Sequence, residues 1–190
     1  MADDRVTRLQ QAAEVVALLQ RADLLVALVQ ASELVVTTLR SGATVLLCGN
    51  GGSSADAAHL AAEFVGRCTV ERGALPAICL SDSSSVVTAV GNDYGFDRVF
   101  ARQVEAFGKP GDLLIALSTS GRSPNCVNAL TTARERGVAT LGFLGRDGGD
   151  MAALCDVALI APSDVTARIQ ECHQVWAHII AEDVDRLWAN

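Results

Sequence analysis

A chain of 190 residues, half of them apolar and only 4% aromatic, has the length of one compact domain with a core built of Ala, Val and Leu. Its net charge of −7 offers no basic field for a phosphodiester backbone and argues against nucleic acid as a direct ligand. An anionic small molecule remains possible, held by local N–H donors and helix N-termini and not by overall charge.

The mean hydropathy is +0.30, but the apolar stretches are interrupted well before the ~18 residues that a membrane span needs. The first residues, MADDRVTRLQQAAE, are too polar for a signal peptide, so the chain reads as cytoplasmic. Surplus apolar surface on so small a domain is most readily covered between subunits, which predicts a homo-oligomer. The six cysteines, Cys48, Cys68, Cys79, Cys126, Cys155 and Cys172, have no C-x-x-C spacing and read as small buried hydrophobes in a reducing compartment.

In chain order, Val6 to Arg40 has apolar positions recurring at three and four, which predicts helix with a break near Arg21 to Asp23 and a stop at Ser41-Gly42. Strand and helix patterns then alternate. ATVLLCG is a strand, and a helix from about Ser53 to Gly66 follows. PAICLS is the second strand, with a short helical stretch through SSVVTAVG and a helix around Asp97 to Phe107. GDLLIALS leads into a helix from Pro124 to Arg136, and VATLGFLG into a short turn at Met151. DVALIA precedes a last helix from about Thr166 to Trp188. Apolar strands alternating with helices define the α/β class, with a parallel sheet covered on both faces. The chain is read as a single domain over 1–190, a helical segment at 1–41 preceding an α/β core at 43–190.

Ligands gather beyond the carboxyl ends of such strands, and two loops there stand out. In GNGGSSAD, Gly49 to Asp56, Ser53 is placed to cap the next helix with Asp56 three residues on, and Gly51 and Gly52 allow close backbone approach. In STSGRSPN, Ser118 to Asn125, Ser123 is a natural N-cap before Pro124, and Ser118, Thr119, Ser120 and Gly121 crowd hydroxyls and amides into one curve. That is a phosphate cradle by composition. A P-loop would need a lysine after the glycines. A dinucleotide fingerprint would need a glycine at Ser54, and Asp82 lies beyond the usual ~20 residues.

His59 and Glu63, four residues apart, project from one face of the helix that the first loop opens, as they also would on an ordinary amphipathic helix. The last helix, RIQECHQVWAHII, adds Gln170, His173 and His178, so all three histidines of the chain fall in these two helices. A set of His, Glu, Gln and His suits a zinc-like ion. Gln170 and His178 are about 12 Å apart in helical rise, whereas His173 is one turn from Gln170, and spacing leaves both histidines open.

The segments GNGGSSADAAHLAAE, VGNDYGFD, ALSTSGRSPN and RIQECHQVWAH, in this order, resemble the sugar-isomerase (SIS) domain of bacterial sedoheptulose-7-phosphate isomerases, the phosphoheptose isomerases, from about Ala43 to the C-terminus. The resemblance implies a three-layer sandwich around a five-stranded flavodoxin-like sheet, with N-terminal helices used in oligomerisation. It also implies a homotetramer with active sites between subunits, one Zn2+ per subunit, and conversion of sedoheptulose 7-phosphate to D-glycero-D-manno-heptose 7-phosphate.

Carried over by position, His59, Glu63, Gln170 and His178 match the zinc ligands, Glu63 and His178 match the acid/base pair, and His173 is structural. Asn50, Gly51, Gly52, Glu63, Asn92, Asp93, Ser118, Thr119, Ser120, Ser123 and Gln170 match positions that touch the sugar phosphate, with Arg67 and Arg168 as further anion partners. Some members carry an acid just before the Arg of R-I-Q, where this chain has Ala167. Two other readings accompany the resemblance: an isomerase of another phosphosugar, and a non-catalytic sugar-phosphate-binding protein like the replication-initiation relatives. Those relatives tend to lack the equivalents of Glu63 and His178, both of which are present here.

Overall fold

The computed structural model describes residues 2–188. Helix α1 (Ala2–Ala17) passes through a 3-10 turn (Leu18–Gln20) into α2 (Ala22–Arg40), and the break falls at Arg21, whose extended backbone interrupts the helical path. Leu24, Leu28, Ala31, Val35 and Leu39 recur at three and four residues along α2 and are buried. Gly42, with φ +78, takes the chain out of the helix in a conformation that other residues resist. By length and composition α2 could cross a membrane, but its apolar stripe packs against β5 (Val157–Ala161) and α8 (Thr166–Trp188).

The sheet is β2-β1-β3-β4-β5, all parallel, with β1 Val45–Gly49, β2 Ala77–Cys79, β3 Leu113–Ser118 and β4 Ala139–Gly145. Period-two alternation explains the three layers. Val45, Leu47, Leu113, Ile115 and Leu117 face one core, shared with α2, α3 (Gly52–Val65) and α8. Leu46, Cys48, Leu114 and Ala116 face the other, shared with α4 (Ser84–Tyr94), α5 (Ala101–Phe107), α6 (Pro124–Glu135) and α7 (Gly149–Ala152). Strand order reverses between β1 and β3, so the crevice for a ligand opens where their two loops emerge.

Four local expectations need correction. Ser53 does not cap α3: Gly51, with φ 56, takes the cap position, Ser53 is buried inside the first turn, and Asp56 turns away to α8. The strand in PAICLS narrows to Ala77–Cys79, because it lies at the sheet edge and pairs only with β1. Helix α4 is longer than its apolar pattern and carries Asn92 and Asp93 in its last turn. The helix around Asp97 to Phe107 divides into a 3-10 turn (Phe96–Arg98) and α5, separated by buried Val99 and Phe100. The free cysteines Cys48, Cys79, Cys126 and Cys172 are buried, and Cys68 and Cys155 are half-buried.

Candidate active site

The two loops meet side by side at the carboxyl edge. Asn50 and Asn125 exchange side-chain amide hydrogen bonds at 2.9 and 2.8 Å, which ties the loop after β1 to the first turn of α6. A side chain at Gly52 would meet the Nε2 of Gln170 on α8, and Gln170 would have to move aside. Thus Gln170 packs against the mouth of α3. In the second loop, buried Ser118 accepts the Gly121 N–H at 3.1 Å and lies 3.0 Å from the Ser123 hydroxyl and 3.4 Å from that of Ser120. Ser123 does precede α6 with Pro124 at the first position, but its hydroxyl is turned to Ser118 and not to the helix N–H groups. Gly121, at φ +64, packs so tightly on the Gly148 carbonyl that no Cβ fits, and Thr119 and Ser120 sit half-buried beside it. This is a rigid curve of hydroxyls and amides at a helix N-terminus, the chemistry that an anion needs.

The seam between α3 and α8 holds the titratable groups. Leu60, Ala61 and Phe64 bury one face of α3, and this leaves His59 exposed and Glu63 half-buried on the side toward α8. The Nε2 atoms of His59 and His178 are 3.0 Å apart, and Glu63 Oε1 is 3.4 Å from His59 Nε2. One candidate ligand atom from each of the three residues lies within 4.8 Å of the others. Upstream on both helices, Gln174 donates to Asp56 at 2.5 Å. Burial pushes the Asp56 carboxyl up, partly opposed by that hydrogen bond.

Of the two histidines that spacing left open, His178 meets His59. His173 lies on the other face of α8, fully buried beside Phe143 and Trp176, with its Nε2 2.9 Å from the Leu144 carbonyl and its Nδ1 unpartnered. Burial lowers its pKa to about 4, so the ring is neutral, with Nε2–H as donor to Leu144.

A tetrahedral zinc with ligands at ~2.0–2.2 Å sets its donor atoms roughly 3.3 Å apart. The spacings of 3.0 Å and 3.4 Å within the cluster fit that requirement with two imidazoles and a carboxylate. The Gln170 side-chain amide lies beside Gly52 at the start of α3. Asn92 and Asp93 are exposed and hydrogen-bonded to each other at 2.8 Å. Arg67 is paired with Glu71 at 3.2 Å, and Arg168 is committed to the Arg8 carbonyl and to Glu171. The exposed Arg122 of the second loop is held by Asp147 in a two-pronged pair at 2.8 and 2.6 Å.

Sequence reasoning missed Arg72 and Asp185, the buried ion pair next to this seam at 2.7 Å. A signal was present: Asp185 continues the inward stripe of Ala177, Ala181 and Val184, and an acid there calls for a buried cation.

An α/β sandwich with sheet order β2-β1-β3-β4-β5 and a serine-rich curve at its switch point has the layout of a doubly wound ligand-binding domain. The SIS domain family model matches residues 10–145, and the chain belongs to that family, among its phosphoheptose isomerases. It is similar to the phosphoheptose isomerase of Pelobacter propionicus, with 58% identity over 147 residues, 77% of this chain and 78% of the relative. The phosphoheptose isomerase of Aliarcobacter butzleri is 56% identical over 146 residues, 77% of each chain. Among solved structures, phosphoheptose isomerase from Neisseria gonorrhoeae superposes with TM-score 0.91 at 40% identity, covering 98% of this chain and 100% of that one. The enzyme from Francisella tularensis gives 0.93 at 33% identity, covering 98% and 99%.

Proposed function

We propose that this isomerase converts sedoheptulose 7-phosphate to D-glycero-D-manno-heptose 7-phosphate by proton transfer through an enediolate. The observation that carries this reading is the convergence of His59, Glu63 and His178 on one point of the α3–α8 seam, beside an anion cradle. It is supported by the names of the relatives, each a phosphoheptose isomerase.

Ketose to aldose conversion needs a proton taken from C1, stabilisation of the resulting oxyanion, and a proton returned at C2. Ser118, Thr119, Ser120 and Ser123, with the N–H groups at the start of α6, hold the phosphate and set the far end of the substrate. Asn50, Gly51, Gly52 and Gln170 shape the sugar-facing edge, with Gly52 leaving room for the Gln170 amide. Glu63 takes the C1 proton, and His178 serves the oxygen proton or the return step. His59, Glu63 and His178 fit one Zn2+ per subunit, with Gln170 as a further ligand. When bound, the ion polarises the carbonyl and hydroxyl oxygens as a Lewis acid.

The active unit in this proposal is a homotetramer. Leu25, Val26 and Val29 leave an apolar face of α2 uncovered, and α4, which carries Asn92 and Asp93, buries none of its residues. A neighbouring subunit would cover both and bring Asn92 and Asp93 to a site. A cytoplasmic location goes with this reading.

The test is turnover of sedoheptulose 7-phosphate by the purified protein, followed by NMR of the product's anomeric signals, after chelation and again with zinc restored. Metal-dependent formation of the heptose phosphate supports the proposal. Absence of turnover, with the sugar phosphate still raising the Tm, would favour a non-catalytic binding protein. Turnover of a different phosphosugar in preference would shift the substrate assignment.

A further inference from the structure

Arg72 and Asp185 are fully buried and joined at 2.7 Å. A buried pair of this kind is weak evidence for stability, because desolvation offsets its attraction. What is unusual is where its remaining hydrogen bonds go. Arg72 Nη2 donates to the Glu63 carbonyl at 2.6 Å, and Nη1 donates to the carbonyls of Phe64, Gly66 and Gly73 at 2.9, 3.2 and 2.9 Å. These include carbonyls at the end of α3 that have no partner within the helix, and a cation there also complements the helix dipole.

Asp185 closes the arrangement from the other helix. Its Oδ1 accepts from Arg72 Nε, and its Oδ2 accepts the backbone N–H groups of Cys68, Thr69 and Val70 at 3.1, 2.5 and 3.0 Å. Burial would raise its pKa, but the Val70 and Thr69 N–H groups and Arg72 hold it below the ordinary value, so it stays charged. Asp185 lies two helical turns beyond His178, hence near the same face of α8. One bond network therefore runs from the residue that carries the Glu63 side chain to the helix that carries His178.

We propose that Arg72 and Asp185 are positioning residues for the isomerisation: together they fix the last turn of α3 against α8 and so set Glu63 relative to His178. This rests on the reading of Glu63 and His178 as the acid/base pair. The pair touches no substrate and acts only through the backbone of Glu63. Such a device is valuable because a misplacement of ~1 Å at a reacting group costs about a hundredfold in rate.

Arg72→Lys keeps the positive charge but cannot span four carbonyls and a carboxylate. Asp185→Asn keeps the shape but weakens acceptance of three N–H groups. The experiment measures kcat and KM for sedoheptulose 7-phosphate with each variant, per folded protein by circular dichroism, in the wild-type and in the Glu63→Gln background. The expected result is a fall in kcat of about tenfold to a hundredfold with KM changed less than about threefold, and no further fall when Glu63 is already Gln. Where Asp185→Asn does not fold, Arg72→Lys carries the test.

Wild-type kcat in folded Arg72→Lys would overturn the proposal, and so would an equal loss in both backgrounds, which marks a purely structural role. If Glu63→Gln itself leaves turnover unchanged, the reading of the acid/base pair falls and the positioning proposal with it. Failure of Arg72→Lys alone leaves that reading standing.

Discussion

His173 and His178 belong to one helix and are the same residue type, yet the two flanks of α8 give them opposite chemistry. The inner flank seals His173 between Phe143 and Trp176, satisfies one nitrogen with Leu144 and keeps the ring neutral. The outer flank leaves His178 exposed and facing His59. Proximity of histidines in a sequence therefore says little about shared work. The face of the helix decides, through desolvation on one side and convergence with a second helix on the other.

The sharpest way to break this comparison is to alter the seam. Glu63→Gln keeps the side-chain volume and removes the base. It is expected to lower kcat by about a thousandfold, within the usual range for a general base, while circular dichroism and Tm stay close to wild type. A variant that turns over at the wild-type rate would separate the seam from the chemistry.

The inner flank predicts a stability effect and no rate effect. The pKa of His173 in the folded protein, about 4, is below its ordinary 6.5, so the unfolded chain binds the proton more tightly. Stability tied to the neutral ring is complete above about pH 6.5 and falls as the pH drops toward 4. The total loss is about 3 kcal/mol from the shift. His173→Gln keeps a donor for Leu144 but takes up no proton. Urea midpoints between pH 4.5 and 7 should fall more steeply for wild type than for this variant, with kcat per folded protein unchanged. Parallel slopes would place His173 in contact with solvent.

Next in size, His59→Ala removes a ligand of the proposed zinc site. In a chelator competition it should weaken zinc affinity by more than the roughly tenfold to hundredfold typical of a residue that only supports a ligand, whereas His173→Gln should leave it unaltered. The smallest effect is expected at the edge of the cradle. Arg122→Ala breaks a pair whose members are both well exposed, so the urea midpoint should stay close to wild type. A clear drop in the midpoint would mean that the pair braces the Ser120 curve.

Much of the fold was legible because strand and helix periods were clean: the stripe of α2 and the apolar runs of β1, β3 and β4 stand where the patterns placed them. Ser53 was misread because cap chemistry in a Gly-Gly-Ser-Ser run can start at any of several residues, and the chain caps the helix at Gly51, in the positive-φ conformation that glycine allows. Spacing brought His59 and Glu63 together but could not choose between His173 and His178, since that choice depends on the rotation of α8 against the sheet. Arg72 was invisible for a different reason. It lies in a loop with no periodicity, and its role arises from carbonyls at the end of another element.

The central claim is that Glu63 and His178 move a proton between C1 and C2, and solvent deuterium tests it most directly. Sedoheptulose 7-phosphate is converted in D2O over many turnovers, and the aldose product is examined by NMR at C2. The account predicts deuterium at C2 with the wild-type enzyme and negligible product with Glu63→Gln. Full conversion to a product carrying only protium at C2, or rapid turnover by Glu63→Gln, would contradict it.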